Sequence, residues 1–193
     1  MEPRLGVDFG RVIQGGPLSP GNADTAFLGG TLRDALASPP NDGAFEALAE
    51  LVALFGGRVW IISKCGERVE RKTRAWLDHH RVPARTGLPR ANVRFCRKRA
   101  QKAVHCADLG ITHMIDDRPA VHRALAGVVP HRYLFGPRDA PAPEGLPNPL
   151  SWAETLSMIK ADVLAAPVGG ATPVTDATGS AAGRAGRATR RSR

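Results

Sequence analysis

Several features are scarce in this 193-residue chain, and each scarcity closes off a class of protein. Cysteine occurs three times, as Cys65, Cys96 and Cys106, with no C-x-x-C spacing. That argues against a disulfide framework or a zinc knuckle and for free thiols in a reducing cytoplasm. Hydrophobic residues make up 42% of the chain, enough for a core. No apolar run approaches the ~18–20 residues of a membrane span, so no membrane association is expected. The opening MEPRLGVDFG has no basic n-region, apolar h-region or cleavage site, and no signal peptide is expected. There is no internal repeat, and at ~100–200 residues per domain the length fits one domain plus tails.

Acids are outnumbered, 18 against 27 lysines and arginines, for a net charge of +9. The surplus is unevenly spread. From Leu164 onward five arginines (Arg184, Arg187, Arg190, Arg191, Arg193) face one acid, Asp176, and the other five positive charges belong to the residues before them. A basic balance suits a phosphorylated or polyanionic partner, and equally an arginine-rich solvated surface. Beyond Ala165 the chain is Gly, Ala, Thr, Ser and Arg, too poor in apolar residues to fold, so residues 165–193 are expected to form a disordered tail.

Between these limits the chain alternates apolar runs with 3.6-residue periodicity. Residues 4–9 are expected as a first strand buried on both faces. Residues 14–41 are rich in Gly, Pro, Ser and Asn and are expected to be loop with a helical turn or two. A helix opening at Asp42-Gly43 places Phe45, Leu48, Leu51, Val52 and Phe55 on one face and stops at Gly56-Gly57. The run 58–63 (RVWIIS) is a second strand, and 67–80 a second helix with Val69, Thr73, Trp76 and Leu77 on one face. Residues 81–91 are expected to be loop, 93–96 a third strand, and 97–109 a helix with Ala100, Ala103, Val104 and Ala107 inward. A fourth strand, 113–115, closes on Asp116-Asp117. Then come a helix begun by Pro119, a fifth strand at 132–135, a proline-rich crossing at 137–149 and a last helix from Ser151 to Leu164. Continuous apolar strands alternating with helices predict a single Rossmann-like α/β domain over residues 1–164, its mostly parallel five-stranded sheet covered by helices on both faces.

The polar residues that end the strands carry the chemistry. Asp8 ends the first strand, Ser63 the second and Asp116-Asp117 the fourth. In a parallel sheet these ends share one edge, so a carboxylate, a hydroxyl and a carboxylate pair converge on one crevice. Carboxylates crowded together repel, and a hard cation such as Mg²⁺ relieves the repulsion with oxygen ligands.

This pattern resembles the haloacid dehalogenase (HAD) superfamily of phosphohydrolases, and within it the segment from Phe95 to Pro119 is most similar to the deoxyribonucleotidase-like branch. LGVDFGRVI resembles the first motif, with Asp8 in the place of the nucleophile. VWIIS resembles the second, with Ser63 holding the transferring phosphoryl group; KAVHCADLGI the third, with Lys102 as its lysine and Lys98 as the competitor; HMIDDRP the fourth, with Asp116 and Asp117 as the magnesium-binding acids. The resemblance implies an aspartyl-phosphate mechanism, a Mg²⁺ held by Asp8, the Gly10 carbonyl, Asp116 and Asp117, and substrate contacts from Ser63, Lys64 and Arg11.

The chain departs from the family at one point. Gly10 stands where its phosphatases have a second aspartate, the general acid–base, and Arg11 stands where a glycine usually follows. Loss of a positioned acid or base removes ~10²–10⁴-fold in rate, so a substrate whose leaving group needs no proton would suffer least. Arg11 is left with two orientations, toward solvent or toward the phosphate and Asp8. Neither gap between motifs holds a full cap domain, which implies a minimal cap and an open crevice. That suits a phosphorylated small molecule, a polymer end, or an oligomer partner that supplies the lid. The alternative is a catalytically impaired member that binds a phosphorylated or nucleic-acid partner, the latter through its basic tail.

Overall fold

The structure, a computed structural model, describes residues 2–15 and 25–165. Five strands, β1 (Leu5–Val7), β2 (Val59–Lys64), β3 (Val93–Cys96), β4 (His113–Asp116) and β5 (His131–Leu134), form one sheet in the order β3-β2-β1-β4-β5. Every pairing is parallel. Val7 is level with Ile61 on one side and Ile115 on the other. The next residue along, Asp8, therefore stands level with Asp116, and its N–H donates to the Ile115 carbonyl at 2.9 Å. The strand order reverses direction about β1, and ligands of open parallel sheets bind at such a switch point, outside the carboxyl ends of the strands.

Helices cover both faces. The first face carries Leu5, Val7, Ile61, Ile115 and Tyr133. Against it pack α3 (Ala44–Leu54), α4 (Glu67–His79), α5 (Val82–Thr86) and α8 (Trp152–Ala165). The five residues that share a face by periodicity in α3, Phe45 through Phe55, are all buried there. The second face carries Ile62 and Met114 beneath α6 (Gln101–Leu109) and α7 (Pro119–Ala124). Gly6 points toward this face, where a Cβ would lie 2.6 Å from Met114 Sδ, so glycine is what lets β1 and the Met114 side chain lie together. Among the described residues no helix is long and apolar enough to cross a membrane.

Three expectations need correction. Residues 14–41 are more helical than their composition implies, with α1 (Thr25–Gly29) and α2 (Leu32–Ala37) inside them; residues 16–24 lie outside the described set. Thr31 and Asp34 close a capping box on α2, which outweighs the nearby glycines. The α4 side chains then fasten the pair. Lys72 Nζ donates to the Phe27 and Gly30 carbonyls at 3.0 and 2.5 Å, and Trp76 Nε1 to the Ser38 carbonyl at 2.8 Å. The 81–91 loop likewise contains α5, which Pro83 starts in its first turn.

The third correction concerns α6. It begins at Gln101, not at 97, because Gln101 Oε1 accepts from the Arg97 and Lys98 N–H groups at 3.0 and 2.9 Å and closes a turn ahead of the helix. Its buried face is Lys102 and Cys106, while Val104 is 58% exposed and Ala100 and Ala107 are exposed. Carboxylates beneath the helix draw the ammonium inward, and Ala103, Cys106 and Leu109 pack beside it, so of the four residues expected inward only Ala103 meets the core. The tail expected to be disordered lies, from residue 166 onward, outside the described residues.

Candidate active site

Three strand ends and one helix build the crevice. β1 delivers Asp8 and then turns: the Ile13 and Gln14 N–H groups both donate to the Phe9 carbonyl. Arg11 sits in this turn with φ +63°, the left-handed conformation that favours glycine. The turn is held from outside. Asn41 Nδ2 donates to the Arg11 and Val12 carbonyls at 3.0 and 2.8 Å, and Trp152 Nε1 donates to Val12 at 2.9 Å. Arg11 thus keeps the backbone shape of a glycine while carrying a guanidinium.

Asp8, Gly10, Arg11, Ser63, Lys64, Lys102 and Asp117 line one crevice of about 250 Å³, together with Arg99 and Arg118 and, from α1, Phe27 and Leu28. Asp116 lies beneath it, fully buried. The oxygens of Asp8, Asp116 and Asp117 come within 4.8 Å of one another. Lys102 Nζ joins two of them: it donates to Asp116 Oδ2 at 2.6 Å and stands 2.8 Å from Asp8 Oδ1 as an ion pair, outside hydrogen-bond angles. Lys98, its competitor, is exposed. Burial pulls the Lys102 ammonium down, but Asp8 and Asp116 outweigh it and hold it above its ordinary range. Burial pushes the Asp8 carboxyl up, opposed by Lys102 and reinforced by Asp116.

The paired acids of β4 have separate surroundings. Asp116 is satisfied from all sides: Lys102 takes one oxygen and the Arg118 N–H the other, at 2.8 Å. Its backbone carbonyl accepts from Phe135 N–H at 3.0 Å and lies 2.9 Å from His122 Nε2. Asp117 faces the crevice, where Oδ2 meets Arg11 Nε at 3.2 Å and Arg118 Nε at 3.1 Å. Burial and the negative charges of Asp8 and Asp116 push its carboxyl up to about 7 against the pull of Arg118 and Arg11. Of the two orientations open to Arg11, the structure shows the one toward the crevice, where it pairs with Asp117. The free thiols are buried, and burial pushes Cys65 up to about 11, the opposite direction from the lowered value of an activated thiolate.

The donor set suits a hard divalent cation. It consists of carboxylate oxygens only, closely spaced, with Asp8 Oδ1 buried and lacking an aligned hydrogen-bond donor. Sequence reasoning missed three residues: Asn41, which clamps the turn; Arg118, which pairs with Asp117; and Arg138, whose Nη2 donates to the Asp117 carbonyl at 3.1 Å. Arg118 directly follows the acid pair and Arg138 follows β5 on the same sheet edge, so strand-end position was the available signal for both. No family model and no curated protein matches the chain.

Proposed function

We propose that the chain is a HAD-like phosphohydrolase or phosphotransferase that works through an aspartyl-phosphate on Asp8. One observation carries the reading: Lys102 bridges a strand-end aspartate at the switch point to a second strand-end aspartate, with Ser63 and Asp117 on the same crevice. In the forward step a carboxylate oxygen of Asp8 attacks phosphorus in line, and the bond from phosphorus to the leaving group breaks with its electrons going to the leaving group. Lys102 holds Oδ1, which leaves Oδ2 to attack. Ser63 and Lys64 donate to the phosphoryl oxygens, where fixed donors contribute most. Water, or an acceptor hydroxyl, then attacks the same phosphorus and returns the Asp8 carboxylate.

Asp8, Asp117 and the Gly10 carbonyl, with Asp116 behind them, would hold Mg²⁺, which supplies charge neutralisation for the phosphoryl oxygens. No side chain at position 10 can protonate the leaving group, so acyl phosphates and aryl phosphates are the favoured substrates. A reducing cytoplasm suits the three buried thiols.

A phosphate-release assay with Mg²⁺, acetyl phosphate and p-nitrophenyl phosphate tests this. Asp8→Asn should abolish turnover; unchanged turnover would sink the assignment. The second reading, a phosphate-binding protein without turnover, is favoured by Gly10 and by the two guanidiniums that already occupy Asp117. Gly10→Asp separates the two. On a poor leaving group, such as an alkyl phosphate, restoring the acid should raise the rate ~10²-fold or more if the rest of the site is competent.

A further inference from the structure

Beside the Asp8 crevice, along the same edge of the sheet, lies a second and larger cavity of about 540 Å³. It opens between the ends of β4 and β5 and shares Arg11, Asp117 and Arg118 with the crevice as a common wall. Arg123 and Arg138 complete its positive lining, so four guanidiniums face two carboxylates, Asp117 and Asp139. Two positive charges are in excess, and the acid that neutralises most of the rest belongs to the reaction site.

The rim that carries Arg138 is a built feature. Gly136 turns the chain with φ +88°, its N–H donates to the Pro149 carbonyl at 2.8 Å, and Asn148 Nδ2 donates to its carbonyl at 3.0 Å. Arg138 is then fixed by the Asp117 carbonyl. Arg118 engages Asp117 through Nε; its terminal amines are the pair that grips a phosphate in two-pronged fashion. Like charges gathered at this density are relieved by an anion.

Size points the same way. Ligand cavities run to ~300–1,000 Å³, and the Asp8 crevice at about 250 Å³ falls just short of that range. A substrate too large for the crevice extends into the adjoining space, which is the arginine-lined cavity.

We infer that this cavity binds a second phosphate of the substrate whose first phosphate sits at Asp8. The substrate class is thus a molecule with two phosphate groups, either a small bisphosphate or a phosphorylated oligonucleotide end with its next phosphodiester. The inference rests on the phosphoryl-transfer reading of the Asp8 crevice.

Calorimetric titration of the full chain in the Asp8→Asn background, where no probe is consumed, tests it. Hexane-1,6-diol bisphosphate should bind at least about tenfold tighter than hexyl monophosphate, the equivalent of one charge-assisted hydrogen bond. The preference should collapse when Arg123→Ala and Arg138→Ala are added together. Equal affinities, or a preference that survives loss of both arginines, overturns the second site. A parallel comparison of 5′-phosphorylated dithymidylate with thymidine 5′-monophosphate distinguishes the sources: a larger preference here than in the diol pair assigns the cavity to a nucleic-acid end, a smaller one to a small bisphosphate. Circular dichroism of each variant checks the fold, and Arg123→Gln with Arg138→Gln replaces any alanine pair that fails to fold. Turnover is read separately in the chain with Asp8 intact. Preference without any phosphate release keeps the second site and overturns the hydrolase reading; release without preference does the reverse.

Discussion

The floor and the rim of the crevice are built from the same two kinds of group in opposite arrangements, a cation between two carboxylates on the floor and a carboxylate between two cations at the rim, and they do different things. On the floor, Lys102 lies between Asp8 and Asp116 with its side chain 2% exposed. On the rim, Arg11 and Arg118 flank Asp117 with side chains 26% and 46% exposed. Away from water each floor charge depends on the others, since removing one leaves its partners buried and uncompensated. At the rim, water reaches both guanidiniums although Asp117 is only 8% exposed, and this screening draws each pair toward the ~0–1 kcal/mol of surface ion pairs. The floor therefore fixes geometry, whereas the rim can exchange one anionic partner for another.

The sharpest way to break this contrast is to remove the floor cation. Lys102→Met keeps the volume and strands two carboxylates, and should destabilise the fold by ~3–5 kcal/mol in urea denaturation. A loss below about 1 kcal/mol would place the floor in the same class as the rim.

A smaller effect comes from the opposite edge of the sheet. His113 begins β4, is 4% exposed, stacks on His131 at 4.3 Å and has Phe55 edge-on. Burial, and then His131, push it down to about 4, with Asp162 opposing. The fold thus refuses a proton that the unfolded chain accepts between about pH 6.5 and 4. The stability His113 contributes is complete above that window and is lost as pH falls through it. His113→Phe should flatten the decline in urea midpoint between pH 7 and 5; an identical decline in both proteins would clear His113 of the effect.

The rim should yield least. Arg118→Ala should cost under ~1 kcal/mol, and Arg11→Gly less still, because relief of a left-handed non-glycine backbone, about 1 kcal/mol, offsets the lost ion pair. If either matches Lys102→Met, the rim is structural and not exchangeable.

The floor was largely legible in the sequence and the rim was not. Asp8, Ser63 and the Asp116-Asp117 pair end apolar runs, and a parallel sheet brings such ends together whatever the details between them. Lys102 could be named only through the family resemblance: periodicity placed Ala100, Ala103, Val104 and Ala107 inward, and of these only Ala103 packs against the core, beside an ammonium held by an ion pair formed across 14 residues of sequence. The rim depends on a side chain's direction after a turn. That Arg11 would cap Asp117 follows from a positive φ and from Asn41 bonds made from 30 residues away, neither of which leaves a periodic trace. α1 and α2 were hidden for a related reason, since beyond the Thr31–Asp34 capping box of α2 their support comes from α4 side chains.

The contact between Gly6 and Met114 Sδ couples the two positions energetically. Gly6 and Met114 are register partners across β1 and β4, two residues upstream of Asp8 and Asp116. A Cβ at position 6 requires the thioether to shift, with Ile62 Cδ1 next at 3.2 Å, and a shorter side chain at position 114 would vacate that space. Gly6→Ala alone and Met114→Ala alone should each destabilise, one by crowding and one by leaving a void, while the double variant recovers part of both losses as a non-additive coupling. The layer directly beneath the crevice floor therefore tolerates the two changes better together than singly.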